Sequence, residues 1–283
     1  MSTPTLALLG GDPINPPGQD AHPRFSAKAI RRVSELLEAG HAVGLNKGDP
    51  VIREAEEAIA RWQGLPHCLG TSSGHGALHA ALAGLEITGG DEVITTPYTW
   101  GASTSCILHN GAVPVFADVS STTGLLDPAS VEAAITPKTR AILVVHIYGQ
   151  PADMTSICAV ARRHDLKVVE DGSQAHGALH AGRKVGTFGD AAGFSCMGGK
   201  LLAATEAGYL VTADADVYWR ASMACQHMGR APEAGFPDDL RPYTDSLVYT
   251  YRMSTINAVL LTEQLQKIDG EIDARRENAR AFA

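Results

Sequence analysis

Seven short apolar runs alternate with helix-forming segments between residues 67 and 212, and this alternation restricts the fold more than any other feature. The runs cover residues 67–69, 92–96, 113–118, 141–146, 167–171, 191–195 and 208–212. Helices are expected at 26–39, 51–62, 100–109, 128–135 and 152–164, with a further alanine-rich helix opening at Gly74. Strands joined through helices need crossover connections, and crossovers make parallel neighbours. Such a sheet is covered on both faces, so its strands read as unbroken apolar runs. The chain is therefore expected to be α/β with a mainly parallel, buried sheet.

The flanking helices follow the usual signals. Ala29, Ile30, Val33, Leu36 and Leu37 keep helical spacing, and Gly40 closes that segment. Ile52, Ala55, Ile59 and Trp62 are the expected inward face of the next helix. Residues 253–283 read as mostly helical, with Ile256, Val259, Leu260, Leu265 and Ile268 in the core and a kink at Gly270. The sequence stops inside a charged helical pattern without a cap, so the natural protein is expected to continue.

Composition narrows the partners. A net charge of −8 without any basic run weighs against nucleic acid and anionic membranes. No apolar stretch approaches the ~20 residues that span a bilayer. Residues 1–10 lack a charged segment before their apolar run, so no secretory signal is expected. Five cysteines, odd in number and without CxxC spacing, read as reduced thiols in a cytoplasmic protein. The histidines, read as scattered, give no expectation of a metal.

Four groups fall where ligands gather in such sheets, beyond the carboxyl ends of the strands. Lys200 follows the 191–195 run and stands between glycines and apolar residues, which strip solvent from its amine. An unprotonated lysine amine attacks carbonyls. Asp171 ends another run. Gly74 and His75 open a helix whose free amides suit a phosphate. Trp100 offers an aromatic plate. A phosphate cradle, an aromatic plate, a strand-end carboxylate and a desolvated lysine are together what pyridoxal 5′-phosphate requires.

Longer blocks carry a family resemblance. They are Ser73-Gly74-His75-Gly76-Ala77-Leu78, Thr96-Pro97-Tyr98-Thr99-Trp100, Pro114-Val115-Phe116-Ala117-Asp118, Val145-His146-Ile147-Tyr148-Gly149-Gln150-Pro151, Glu170-Asp171 through His176-Gly177-Ala178, the Ser195-to-Lys200 spacing, and Tyr251-Arg252-Met253-Ser254. In these the chain resembles the DegT/DnrJ/EryC1/StrS aminotransferases, which use pyridoxal phosphate and share the aspartate aminotransferase fold (type I). The resemblance implies a three-layer α/β/α fold with a mainly parallel seven-stranded sheet. It divides the chain into a lead-in over 1–25, a large cofactor-binding domain over 26–245, and the start of an incomplete small domain over 246–283.

It also implies roles. Lys200 is the covalent lysine and Asp171 the partner of the pyridine nitrogen. Gln174 matches the residue that reaches the ring hydroxyl, Trp100 the stacking aromatic, and Ser195 with the amides of Gly74 and His75 the phosphate contacts. The implied protein is a homodimer with active sites at the interface. It moves an amino group from glutamate or glutamine to a keto sugar or keto cyclitol. The Gly10-Gly11-Asp12-Pro13-Ile14 start resembles the branch acting on cyclitols and antibiotic sugars.

The chain departs from the family at His75, where threonine is usual, at Gly198-Gly199 before the lysine, at Thr205-Glu206-Ala207-Gly208 after it, and at Thr250. His75 and Gly198-Gly199 leave elimination, dehydration or carbon–carbon chemistry on the same cofactor as the alternative, although Lys200 argues against the dehydratase version, whose relatives have histidine there. A non-catalytic member is a third reading, against which the lysine and the aspartate argue. His146 is expected to be a buried, hydrogen-bonded residue rather than part of the site, whereas His176 is read equally as approaching the cofactor or as packing. His227-Met228-Gly229-Arg230 stands where relatives carry a His-Gly-Arg and is read as leaning towards an anionic donor.

Overall fold

The computed structural model describes residues 22–41, 49–244 and 248–282, except the side chains of 226–229. The Gly10-to-Ile14 start lies outside these residues, as do the side chains of His227 and Met228. Helix α1 (Ala27–Glu38) is capped by the Ser26 hydroxyl, which accepts from the Ala29 N–H. Asp49 caps α2 (Pro50–Gln63), whose proline stands in the first turn, where a missing N–H costs nothing.

The strands are β1 (His67–Thr71), β2 (Glu92–Thr95), β3 (Val113–Phe116), β4 (Thr139–Val145), β5 (Lys167–Asp171), a small hairpin β6 (Leu179–His180) and β7 (Arg183–Lys184), then β8 (Ala191–Ser195) and β9 (Gly208–Thr212). Seven of them form one sheet in the order β1-β9-β8-β5-β4-β2-β3. Both antiparallel pairings involve β9; the rest of the sheet is parallel. The expected mainly parallel seven-stranded sheet is therefore present. The β6–β7 hairpin falls outside the expected strands, and it turns on Ala181 and Gly182, both with positive φ.

The remaining helices are α3 (Gly74–Gly84), α4 (Ala102–His109), α5 (Pro128–Ala133), α6 (Met154–Arg163), α7 (Ala215–Arg230), α8 (Thr255–Leu265) and α9 (Ile268–Phe282). Side chains alternate across the sheet into two separate cores. Leu69 and Leu210 join Leu78, Ile107, Met154 and Val217 on one side. Cys68, Phe194, Tyr209 and Val211 join Ile52, Ile59, Leu261 and Ile272 on the other. This is the three-layer α/β/α arrangement, with α3 packed on α4, α7 and β8, and α8 packed on α1 and α2.

Two expectations are corrected. α4 begins at Ala102 rather than Trp100, because Gly101 takes the N-cap and leaves Trp100 on the entering loop. The C-terminal helical stretch breaks at Gln266 and Lys267, not at Gly270. A Cβ at Gly270 would meet nothing, so no close contact demands glycine there. α7 has no counterpart among the expected helices.

Candidate active site

The strand ends build the site. Asp171 is the last residue of β5 and Ser195 the last of β8, and these neighbours are parallel. α3 starts just after β1, with the Ser73 hydroxyl accepting from the Gly76 N–H. Its first turn lies against β8 so closely that a Cβ on Gly74 would stand 2.5 Å from the Ser195 Cβ. Among the described residues the N–H groups of Gly74 and His75 have no acceptor. Unpaired amides at a helix start bind anions.

One cavity of about 410 Å³ collects every residue expected at the site: Gly74, His75, Trp100, Asp171, Gln174, Ser195 and Lys200. Glu206 and Thr99 also line it. Lys200 follows a tight turn, its N–H bonded to the Met197 carbonyl at 2.8 Å, and its own carbonyl lies 2.9 Å from the His22 ring. Lys200 is half-buried, less withdrawn from water than its apolar flanks implied. Trp100 is 77% exposed at the cavity mouth.

Asp171 is 6% exposed. Its Oδ2 accepts from the Ser103 hydroxyl at 2.7 Å and its Oδ1 from the Ser173 N–H at 3.1 Å. Among the described residues it has no ion-pair partner. A buried carboxylate without a counter-ion is costly, and a cation beside it removes that cost. A protonated ring nitrogen is such a cation. The donor set of amides, hydroxyl, amine and uncompensated carboxylate thus fits a phosphorylated pyridine aldehyde. Ser103 gave no signal in the sequence beyond a hydroxyl one helical turn after Trp100.

The His75 ring is in contact with α4. Its Nδ1 is 3.3 Å from the Ser105 hydroxyl and its Nε2 is 2.9 Å from the His109 Nδ1, so the ring is held by α4. Burial, then the His109 ring, push its pKa below the usual histidine value. The sequence also holds a spacing that the expectation of no metal overlooked: His75 and His79 stand four apart on α3, and both rings lie near His109. Among the described residues no group of three or more histidine, cysteine or acidic side chains has metal-binding geometry.

The secondary candidates divide. His146 is fully buried between Glu170 and the Ala152 N–H, 3.0 and 3.1 Å away. His176 packs on Phe194 and Tyr209. Burial, with the Lys200 charge adding, pushes its pKa down to about 3. Arg230 lies in a different cavity, where it pairs with the buried Glu56 and with Glu233, so among the described residues it does not face Lys200.

Residues 24–283 match the sequence model of the DegT/DnrJ/EryC1/StrS aminotransferase family. The chain is 38% identical over 287 residues to the L-glutamine:2-deoxy-scyllo-inosose aminotransferase of Streptomyces lividus, covering 97% of this chain and 66% of that protein. It is 37% identical over 291 residues to the enzyme of that name from Streptomyces kanamyceticus, covering 99% of this chain and 67% of the other. The first curated relatives are spanned over 65% and 64% of their length, a little under two thirds. Among solved structures, an aminotransferase from Psychrobacter cryohalolentis superposes with a TM-score of 0.80 at 34% identity, over 88% of this chain and 63% of that one. The sugar aminotransferase CalS13 from Micromonospora echinospora gives 0.79 at 28% identity, over 92% and 70%. The chain belongs to the DegT/DnrJ/EryC1/StrS aminotransferase family.

Proposed function

We propose that this chain binds pyridoxal 5′-phosphate and transfers an amino group from glutamine or glutamate to a keto cyclitol or keto sugar in the making of a secondary metabolite. The observation that carries the proposal is Asp171, a buried carboxylate with hydrogen bonds but, among the described residues, no counter-ion, in one cavity with Lys200 and the bare amides of α3. The names of the relatives favour glutamine as donor and an inosose as acceptor.

The residues divide the work as follows. The amides of Gly74 and His75, with the Ser195 hydroxyl, hold the phosphate. Asp171 faces the pyridine nitrogen and keeps it protonated. Trp100 covers the ring face, and Gln174 offers its amide to the ring hydroxyl. When bound, the cofactor supplies an electron sink that makes the donor's α-hydrogen acidic. Lys200 would hold the cofactor's aldehyde through its Nζ. The Lys200 Nζ would then serve as the general base that takes the proton from the donor's α-carbon. With a keto acceptor the same amine would return the proton.

The proposal includes a cytoplasmic homodimer whose cavities lie at the interface. The exposed aromatic rings of Trp100, which lines the cavity and is 77% exposed, and of Tyr98 at 47% and Tyr148 at 77% support a second copy covering them. No helix among the described residues is long and apolar enough to cross a membrane. The proposal also takes residues 26–245 as the cofactor domain and 246–283 as the start of a smaller one.

Borohydride trapping followed by peptide mapping tests the covalent link. The expected label is on Lys200, and Lys200→Ala loses it; a label elsewhere refutes the assignment. Labelled glutamine with an inosose then tests the reaction. Nitrogen gain in the product supports transfer, and water loss points to elimination instead.

A further inference from the structure

Trp100 and Asp171 reach the cavity from different strands, yet one turn of α4 touches both. Ser103 stands in that turn, fully buried, and its N–H bonds the Trp100 carbonyl at 3.1 Å. Its hydroxyl donates to Asp171 Oδ2 at 2.7 Å. The Thr99 Oγ1 is 2.9 Å from the Ser103 Oγ. A hydroxyl has one hydrogen, and a carboxylate only accepts. The Ser103 hydrogen therefore goes to Asp171, and Thr99 donates to Ser103. The direction of the relay is fixed: Thr99 to Ser103 to Asp171. The other oxygen of Asp171 takes the Ser173 N–H, so among the described residues each oxygen has one protein donor and the carboxylate plane is set from both sides.

We infer that Ser103 is a positioning residue, which aims the Asp171 carboxylate at the pyridine nitrogen and ties it to the turn that carries the stacking ring of Trp100. The inference rests on the proposed cofactor. It assigns a task to a side chain that never touches the ligand. It also explains why Thr99, on the cavity wall, has its hydroxyl turned to Ser103.

The test is a binding measurement on Ser103→Ala and Thr99→Val with two ligands, pyridoxal 5′-phosphate and its 1-deaza analogue, which has a carbon in place of the ring nitrogen. Losing one hydrogen bond to a charged acceptor weakens the interaction that acceptor makes by about 10-fold. Ser103→Ala is expected to weaken the natural cofactor by about that factor and the deaza analogue by less than about 2-fold. Thr99→Val keeps the volume and is expected to repeat the pattern at smaller amplitude. Equal loss with both ligands means that Ser103 only supports the helix start, and overturns the inference. So does unchanged affinity for both. If Ser103→Ala fails to fold, Thr99→Val decides between these outcomes by the same two-ligand comparison. A wild-type protein that binds neither ligand removes the cofactor proposal first, and the positioning role with it.

Discussion

The Gln174 side-chain oxygen accepts a hydrogen bond from the Tyr148 backbone N–H at 2.7 Å. An N–H only donates, so the carboxamide is oriented by this bond and its NH2 group is turned from Tyr148. Gln174 lines the cavity, so the NH2 is available to an acceptor there. Tyr148 has φ of 54°, the left-handed region that non-glycine residues seldom occupy, and the bond helps to hold it. Gln174→Glu keeps an acceptor for Tyr148 but replaces the cavity-facing donor with a negative charge. Affinity for pyridoxal phosphate, read by equilibrium binding, is expected to fall by about 10-fold or more. The melting temperature of the ligand-free protein is expected to stay within about 3 °C.

A second prediction concerns close approach. The absent Cβ of Gly74 would stand 2.5 Å from the Ser195 Cβ and 2.7 Å from its Cα, and backbone cannot swing aside. Gly74→Ala must push α3 off β8, at a cost of roughly 2 kcal/mol by overpacking. The same shift moves the bare amides, so phosphate-containing ligands are expected to bind more weakly. Gly101→Ala is the control, since a Cβ there meets nothing within 4 Å. Urea unfolding and cofactor titration on both variants check the pair.

The contrast between Lys200 and Ser103 shows what the sequence discloses. Asp171 ends one apolar run and Lys200 closely follows another, and such runs announce strands, so the topology carried both to one cavity. The same logic placed Gly74 and Ser195. Ser103 was silent because a serine in a helix start has no period and no partner in sequence; only the fold sets it 2.7 Å from Asp171. The spacing of His75 and His79 is plain in the sequence, but its sense depends on His109, which reaches them from α4. Arg230 carries a residue type suited to an anionic donor, yet burial beside Glu56 assigns it to the packing of α7 on α2. At the site, side-chain direction is what the sequence withheld; elsewhere it also missed α7 and the β6–β7 hairpin.

A third prediction follows from the Glu170 carboxylate beneath the site. Its Oε1 accepts from the N–H groups of Phe188 and Gly189, and its Oε2 from Gly186 and the His146 ring. His146 accepts at Nδ1 from the Ala152 N–H, which puts its proton on Nε2, facing Glu170. Burial raises the pKa of Glu170, but the bonds from His146, Gly186 and Gly189 outweigh it and hold the group below 4.5. A depressed carboxylate stabilises the fold above its unfolded value, and that contribution fades as pH falls from about 4.5 through the folded value. In Glu170→Gln the NH2 group must face a pair of donors whichever way the amide turns. The expected loss is about 3 kcal/mol at neutral pH, with a shallower fall in stability below pH 4.5. Denaturant titrations at several pH values measure both.

The last prediction concerns the histidine array on the other side of α3. His79 is 1% exposed, and its Nδ1 lies 3.0 Å from the Tyr251 hydroxyl. Burial first, then the rings of His75 and His109, push its pKa down to about 4 from 6.5. In the unfolded chain the ring takes a proton as pH drops through 6.5, whereas in the folded chain it stays neutral until about 4. Stability from this group is therefore complete above pH 6.5, is lost progressively between 6.5 and 4, and changes no further below that. His79→Gln offers Tyr251 an amide oxygen in place of the ring nitrogen and removes the titration. The plot of unfolding free energy against pH should then flatten between 6.5 and 4 relative to the unaltered protein, while the two curves run parallel above 7. An unchanged slope would mean that His79 is protonated inside the fold, and that the contact with Tyr251 runs from the ring to the hydroxyl oxygen.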